Sequence, residues 1–128
     1  MALVLLYNLR GEKLRRVQAA LLRHGLQGRE VDRSEYGHPI GYLAGMEGWE
    51  PGEEYAGEGF AAEMLVMHDL NPRQFNGLLD ALRSFRAAVA LKAVITENNA
   101  GWDSVTLRKA LQEEHDAMRE LLEARKKK

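Results

Sequence analysis

Residues 64–70, Met-Leu-Val-Met-His-Asp-Leu, decide the fold, because residues 3–9 repeat their pattern as Leu-Val-Leu-Leu-Tyr-Asn-Leu. In each stretch an apolar run ends in a small polar residue, Asn8 or Asp69. Apolar positions at helical spacing follow both runs, and a constant offset of 61 positions aligns the two copies. Short, nearly continuous apolar runs are typical of strands covered on both faces. The pattern predicts an internal repeat of residues 3–34 in residues 64–96.

The first copy is followed by an insert of different composition. Residues 12–24 predict an amphipathic helix that Gly25 ends, and residues 29–33 predict a weakly apolar edge strand. A short helix is expected over residues 39–44. Residues 45–62 form a long Gly- and Glu-rich loop, and loops of this length in compact domains are usually functional or partly disordered.

The second copy has clearer boundaries. Asn71 followed by Pro72 is typical of a helix start, with Asn at the N-cap and Pro at the first helical position. Residues 89–96 predict a strand rich in Leu, Val and Ile. A long final helix is expected to begin at Asp103 or Ser104 and to carry an apolar stripe.

These elements predict one α/β domain spanning residues 1–128 with a four-stranded sheet and a long C-terminal helix. The apolar strands favour a parallel, doubly wound sheet in the order 2-1-3-4, with strands 2 and 4 at the edges. Right-handed crossovers would then put the first two helices on opposite faces. An antiparallel ferredoxin-like α+β sheet, built from interlocking βαβ units, is the alternative.

Composition excludes several classes of protein. The net charge of −1 indicates no general attraction to nucleic acid or anionic lipid, and the basic run at residues 125–128 is too short to change this. The apolar N-terminus, residues 1–7, is too short for a signal peptide or a membrane span. The chain has no cysteine, which fits a reducing compartment. We therefore expect a cytoplasmic protein that binds neither membranes nor nucleic acid.

Polar residues end three of the predicted strands. In a parallel sheet, ligands bind at the carboxyl ends of strands where the strand order reverses, here between strands 1 and 3. The predicted site residues are Asn8, His68, Asp69, Thr96 and Asn98. These types are also common turn formers and helix caps, and that interpretation stays open. Trp49, in the Gly- and Glu-rich loop, is a further candidate for ligand or partner contact.

No reaction can be read from the remaining motifs. The sequence has no phosphate-binding glycine loop, and its four histidines lack the spacing of metal ligands, so we expect neither a cofactor nor a metal. These observations favour a non-enzymatic regulatory or protein-interaction module. The alternative is a small-molecule-binding protein or an enzyme whose site lies at the carboxyl ends of strands 1, 3 and 4.

The C-terminal half resembles a known family. The segment from Lys92 to Trp102 reads Lys-Ala-Val-Ile-Thr-Glu-Asn-Asn-Ala-Gly-Trp, and Glu114-His115 follows in the final helix. Over residues 64–117 the chain resembles the small bacterial family called domain of unknown function 3783. The resemblance implies a small bacterial single-domain protein and implies no reaction or catalytic residue.

The final helix and the edge of strand 4 suggest self-association. The apolar stripe continues through Met118, Leu121 and Leu122, farther than a small sheet requires. His115 also falls on this stripe, which predicts a partly buried structural histidine. Strand 4, around Val94, is an apolar edge with little charge to protect it. We expect a homodimer built on one of these surfaces, unless the long loop folds back and covers them in a monomer.

Overall fold

The computed structural model describes residues 2–126, so Lys127 and Lys128 of the predicted basic run lie outside the described residues. In chain order the elements are strand β1 (Leu3–Tyr7), helix α1 (Gly11–Arg23), strand β2 (Gln27–Glu30), a 3₁₀ turn (Arg33–Glu35), helix α2 (Ile40–Leu43), strand β3 (Met64–His68), helix α3 (Pro72–Ser84), strand β4 (Leu91–Val94) and helix α4 (Ser104–Lys126).

The four strands form one mixed sheet in the order β2-β1-β3-β4. The predicted α/β class, strand order, edge strands and long C-terminal helix are confirmed. The all-parallel arrangement is wrong, because β1 and β3 run antiparallel with Leu5 opposite Val66. The ferredoxin-like alternative is also wrong, since the two strands of each βαβ unit are adjacent and parallel. An apolar run predicts that a strand is buried, but it does not predict the direction of the strand. The long connection between α2 and β3 allows β3 to run either way.

The register relates the two βαβ units by an approximate two-fold rotation about the centre of the sheet. Leu5 pairs with Val66, and these residues are 61 positions apart, the offset of the sequence pattern. Left-handed backbone occurs at corresponding places in the turns that follow β1 and β3, with φ of 61° at Asn8 and 62° at Asp69. After the helices it recurs at Gly25 (φ 66°) and Arg86 (φ 55°).

The second unit contains a short insertion between its helix and its second strand. The backbone N–H of Val31 donates to the carbonyl of Leu6, and that of Ile95 donates to the carbonyl of Met67. Val31 and Ile95 are 64 positions apart, whereas Leu6 and Met67 are 61 apart, so three residues have been added. The added residues lie in the loop before β4, where they change the loop and leave the strand pairing intact.

Helices α1 and α3 cover the same face of the sheet, not opposite faces as predicted. An in-plane rotation of one βαβ unit onto the other keeps both right-handed crossovers on one side, whereas an all-parallel sheet would have separated them. Val4, Leu6, Leu65 and Met67 point to this face and pack against Val17, Ala20, Leu21, Leu78, Ala81 and Leu82 of the helices.

The opposite face is covered mainly by irregular segments. Its strand residues include Leu5, Tyr7, Met64 and Val66. They pack against Tyr36 and Ile40, against the end of the long loop and against the first turns of α4, where Leu107 is buried. Because both faces are covered, residues 4–7 and 64–67 are all buried, as their continuous apolar runs indicated.

Several element boundaries differ from the predictions. Strand β2 begins at Gln27, two residues before the predicted start, and its side chains are mostly exposed because it is an edge strand. Pro39 is the N-cap of α2 and not its first residue. The predicted start of α3 is confirmed: the Asn71 side chain accepts from the backbone N–H of Gln74 at 2.8 Å, and Pro72 begins the helix.

The long segment between α2 and β3 folds back onto the 3₁₀ turn. The backbone N–H of Tyr55 donates to the carbonyl of Ser34 at 2.9 Å, and that of Gly52 donates to Nδ1 of His38 at 2.9 Å. A Cβ atom at Gly37 would lie 2.3 Å from the carbonyl oxygen of Glu53. A Cβ atom at Gly52 would likewise lie 2.4 Å from the carbonyl oxygen of Gly37, so both positions need glycine for the two backbones to approach this closely.

Candidate functional site

The antiparallel pairing of β1 and β3 divides the predicted site between two ends of the sheet. Leu3 lies opposite His68, and Tyr7 lies opposite Met64. Asn8 therefore lies at one end of the sheet. His68 ends β3 at the other end, where Asp69, Thr96 and Asn98 follow β3 and β4. The expected meeting of three strand ends is wrong, because only parallel neighbours bring their carboxyl ends together.

Asn8 anchors the long loop to the end of β1. Its side-chain N–H₂ donates to the carbonyls of Phe60 and Ala62 at 2.8 and 2.9 Å, and its Oδ1 accepts from the Tyr36 hydroxyl at 3.4 Å. Left-handed backbone at this position favours Asn, whose short polar side chain tolerates it. The amide is thus engaged in holding the fold, as the turn-former interpretation suggested.

At the other end of the sheet, Asn99 organises the turn after β4. Its Oδ1 accepts from the backbone N–H of Thr96 at 2.8 Å, and its Nδ2 donates to the carbonyl of Val94 at 3.1 Å. Thr96 and Asn98 themselves are exposed. The sequence singled out Asn98, yet its neighbour holds the turn; nothing in the pair Asn98-Asn99 indicates which side chain faces inward.

A groove of about 1000 Å³ opens at the carboxyl ends of the parallel pair β1 and β2. Its apolar lining includes Val31, Tyr36 and Phe60. Charged side chains of both signs line it as well, and they are Arg10, Glu30, Asp32, Arg33, Glu54 and Glu58. We name this cavity the β1–β2 groove. This cavity lies at the carboxyl ends of two parallel strands, but at a different strand pair from the one where the sequence predicted a site.

The charged groups of the β1–β2 groove differ in how they are held. Asp32 accepts from the hydroxyl of Ser34 at 2.7 Å and from its backbone N–H at 3.1 Å, and these bonds lower the pKa of Asp32. Within residues 2–126, Arg10 and Arg33 form no ion pair and no side-chain hydrogen bond, so both guanidinium groups are available. Arg10 is also the N-cap of α1 and gives that helix no side-chain cap.

An aromatic cluster separates the β1–β2 groove from the core. The rings of Tyr36 and Phe60 stack at 4.7 Å, and Tyr7 lies 5.8 Å from Phe60. The Tyr7 hydroxyl shares a buried hydrogen bond of 2.7 Å with Ser104 Oγ at the start of α4. Burial raises the pKa of Tyr7 far above its usual range, and it also raises the pKa of Tyr36.

Trp49 covers the contact between α2 and the turn that precedes α4. The backbone N–H of Gly41 donates to the carbonyl of Ala100 at 2.8 Å. The indole lies so close that a Cβ atom would be 2.7 Å from it at Gly41 and 3.0 Å from it at Gly101. Trp49 thus has a packing role that the sequence did not reveal, and its predicted contact with a ligand stays a prediction.

Helix α4 leaves the body of the protein partway along its length. Ser104 and Leu107 are buried and Leu111 is half-buried. In residues 113–126, which we name the projecting segment, every residue except Asp116 is exposed. His115 is exposed and not partly buried as predicted, because the helix has already left the sheet at that position.

The projecting segment carries an apolar stripe. Met118, Leu121 and Leu122 are 57%, 52% and 50% exposed. Leu121 and Leu122 follow Met118 by three and four positions, so all three share one face of the helix. We name them the α4 stripe. It continues the face that Leu107 and Leu111 use against the sheet. The long loop does not cover it, so the surface expected from the sequence is present.

Comparison with known proteins finds a family similarity in the C-terminal half of the chain. Residues 63–118 match the family model described as Domain of unknown function (DUF3783), which confirms the resemblance inferred from the sequence. The match covers β3, α3, β4 and the first part of α4. No curated protein and no solved structure matches the chain. The matched family supplies no reaction.

Two further properties of residues 2–126 bear on function. None of their helices is long and apolar enough to cross a membrane. They contain no group of three or more His, Cys, Asp or Glu side chains that could hold a metal ion. The exposed α4 stripe and the β1–β2 groove are the features from which we argue function.

Proposed function

We propose that the protein is a non-enzymatic interaction module that binds another protein chain through the projecting segment of α4. The observation that carries the proposal is the α4 stripe, three large apolar side chains that remain half or more exposed on a helix surrounded by solvent. Exposing them is unfavourable by roughly 25 cal/mol for each Å² of apolar surface left in water. A helix with one apolar face that contacts nothing is the form in which many partners recognise a helix.

The polar residues at the strand ends support a non-enzymatic role. Asn8 and Asn99 are engaged by backbone groups, and Asn71 caps α3. Burial raises the pKa of both Tyr7 and Tyr36, which disfavours the phenolate form that a tyrosine base would need. The proposal also includes a bacterial, cytoplasmic setting: the family resemblance implies bacteria, and a chain without cysteine fits a reducing compartment.

Site-specific photo-crosslinking in the cells of origin tests the proposal. A photoreactive residue replaces Leu121 in the α4 stripe, and the matched control replaces Glu123, which is exposed on the other side of the same helix. We expect one or a few discrete protein adducts from position 121 and few from position 123. Equal labelling from both positions, or none from position 121, would reject a role for the stripe in partner binding.

A second candidate function is the binding of a small molecule in the β1–β2 groove. It is favoured by the two available guanidinium groups, Arg10 and Arg33, which lie beside four carboxylates in one cavity. Such a lining suits a ligand with groups of both charges, such as an amino acid. Asn8 would take part by holding the wall of the groove. His68, Asp69, Thr96 and Asn98 would be a separate surface.

Thermal shift with a panel of zwitterionic metabolites tests the second candidate. A ligand at 100 times its Kd adds about 2.7 kcal/mol of stability, which is a readily measured shift. We expect Arg33→Gln to abolish the shift and Arg15→Gln, on an exposed part of α1, to preserve it. A shift that survives Arg33→Gln, or no shift with any compound, would reject the groove as the site.

A further inference from the structure

The projecting segment has the residue spacing of a short coiled coil. Glu114, Met118, Leu121 and Arg125 are spaced by four, three and four positions, which is the alternation of the two inward-facing positions in a heptad. The two central positions are apolar and the two outer ones are oppositely charged. All four lie on one exposed face of α4. The face therefore has a defined seam and a charge at each end of it.

We propose that this seam pairs with the same seam of a second copy of the chain, with the two helices antiparallel. The inference rests on the proposed function and names the partner. In an antiparallel pair Met118 faces Leu121 of the second copy, so both copies bury their apolar positions together. The contact is isologous and closes after two chains, as a two-fold dimer requires.

Charge determines the orientation of the pair. In an antiparallel pair Glu114 of each copy faces Arg125 of the other, which places two opposite-charge contacts at the ends of the seam. In a parallel pair Glu114 would face Glu114 and Arg125 would face Arg125, which places like charges together. Opposite charges attract and like charges repel at such positions, so the antiparallel orientation is favoured.

The flanks of the seam fit a close helix pair. Ala117 and Ala124 lie on one side of it, and in the antiparallel register they face each other across the pair. Small side chains there let two helices approach closely. Leu122 lies on the other side and extends the apolar surface. The remaining face carries Asp116, Arg119, Glu120 and Glu123, so a third helix has no apolar surface to bind.

The size of the contact sets the expected affinity. The projecting segment has 14 residues, about 21 Å of helix at 1.5 Å per residue. Two such segments bury less than the roughly 1,200 Å² of a stable interface, so we expect a reversible dimer with a Kd on the order of micromolar. The β4 edge is a weaker choice for the same partner, because pairing there would leave the α4 stripe exposed.

Sedimentation velocity on the full chain tests self-association. We expect the mass to rise from 14.4 kDa toward twice that value as the concentration increases from about 1 to about 300 μM. Leu121→Glu is expected to weaken the dimer more than about tenfold, and Leu122→Glu to weaken it as well. Glu123→Gln is the control and leaves it unchanged. All substituted positions are exposed, so circular dichroism should show a retained fold.

Two variant series test the antiparallel orientation. Because the chain has no cysteine, an oxidised mixture of Met118→Cys and Leu121→Cys chains should form mixed disulfide dimers, whereas each variant alone should form few. Glu114→Arg and Arg125→Glu should each weaken the native dimer, and the double variant should restore it. The antiparallel orientation would be overturned if disulfide dimers formed mainly between two copies of the same variant. It would also be overturned if the double variant failed to restore the dimer.

The outcomes also separate this inference from the proposed function. A measured mass of 14.4 kDa at every concentration would mean that the chain stays monomeric, and it would overturn the inference that the partner is a second copy. If position 121 still crosslinked to a different protein in cells, the interaction module would stand. A dimer that Leu121→Glu leaves intact would reject the seam, and protection of β4 amides from hydrogen exchange in that dimer would assign the interface to the sheet edge.

Discussion

The two βαβ units have strands and helices of equal length, but they differ in the segments that follow their strands. Each has a five-residue first strand, a 13-residue helix and a four-residue second strand. The β1–β2 groove opens where the first unit's strands end, and its wall comes from the long loop. At the corresponding end of the second unit, the side chain of Asn99 holds a short turn. The repeated parts build the sheet, and the connections between them build the candidate sites.

The helices of the two units begin in different ways. Asn71 and Gln74 form a reciprocal cap at the start of α3. Helix α1 begins after Arg10 without a side-chain cap, next to the groove. A local sequence signal therefore ensures the start of one helix, while the other depends more on packing against the sheet. The predictions below compare equivalent positions in the two units.

The largest effect is expected in the shared core. Leu21 and Leu82 occupy equivalent positions in α1 and α3, and each is 2% exposed. We expect Leu21→Ala and Leu82→Ala each to lower the free energy of unfolding by about 2–5 kcal/mol, because each leaves a cavity between helix and sheet. Urea denaturation with linear extrapolation measures both. If one variant lost less than about 1 kcal/mol, the two helices would not be equivalent in packing.

A smaller effect is expected at the ends of the two central strands. Tyr7 shares a buried hydrogen bond with Ser104, whereas the equivalent His68 is half-buried and makes no side-chain hydrogen bond within residues 2–126. Tyr7→Phe should lower stability by about 1–3 kcal/mol, because Ser104 is left without a partner in the core. His68→Phe should stay within about 0.5 kcal/mol of the native protein.

The double variant Tyr7→Phe with Ser104→Ala serves as the control for this comparison. The double variant should lose less stability than the sum of the two single variants, because it leaves no unpaired hydroxyl in the core. Additive costs would show that the hydrogen bond contributes little and that Tyr7 acts through ring packing alone.

The stability lost by substituting the N-cap residue should differ between the two helices by about 1 kcal/mol. Asn71→Ala removes a side-chain acceptor and should lower stability by about 0.5–2 kcal/mol. Arg10→Ala removes no cap and should change stability by less than about 0.5 kcal/mol. Equal losses at both positions, measured by urea denaturation, would mean that Arg10 stabilises α1 in a way its contacts do not reveal.

Substitutions in the turns that follow α1 and α3 should change stability in opposite directions. Arg86 has φ of 55° where the first unit has Gly25 with φ of 66°. Left-handed backbone costs a residue with a side chain about 1 kcal/mol relative to glycine. Gly25→Ala should therefore lower stability by about that amount, with no steric contribution, since nothing lies within 4 Å of the added Cβ. Arg86→Gly should raise it by up to about 1 kcal/mol.

The sequence predicted the parts of the fold that depend on local chemistry. The runs before Asn8 and Asp69 indicated buried strands, and Asn71-Pro72 indicated the start of α3. Strand direction could not be read, because about 20 residues connect α2 to β3 and can reach either end of the sheet. The predicted meeting of Asn8 with His68 depended on that direction and was lost with it.

The candidate surfaces were predictable to different degrees. The α4 stripe follows from helical spacing alone, because Met118 and its neighbours continue the pattern beyond the length of the sheet. The β1–β2 groove could not be located, since its wall depends on backbone contacts such as that between Gly37 and Glu53. No side-chain pattern marks which surface a glycine-rich loop will fold against.

The smallest effect concerns pH and distinguishes the turns that follow β2 and β4. Asp32 holds the first turn as a carboxylate, whereas the neutral amide of Asn99 holds the second. The pKa of Asp32 is lowered in the folded protein by its hydrogen bonds to Ser34. A carboxylate of this kind stabilises the fold above its unfolded pKa of about 3.9, and the contribution is lost as the pH falls through the lower folded value.

Asp32→Asn therefore tests whether charge holds only the first turn. The native protein should be slightly more stable than Asp32→Asn near pH 6, and the difference should shrink in acid, as the pH falls below the unfolded pKa of about 3.9 toward the lower folded value. Asn99→Ala should cost the same at both pH values, because that turn contains no titrating acceptor. Urea denaturation of the three proteins at both pH values gives the comparison. A pH-independent loss for Asp32→Asn would mean that the shape of the side chain, and not its charge, holds the turn beside the β1–β2 groove.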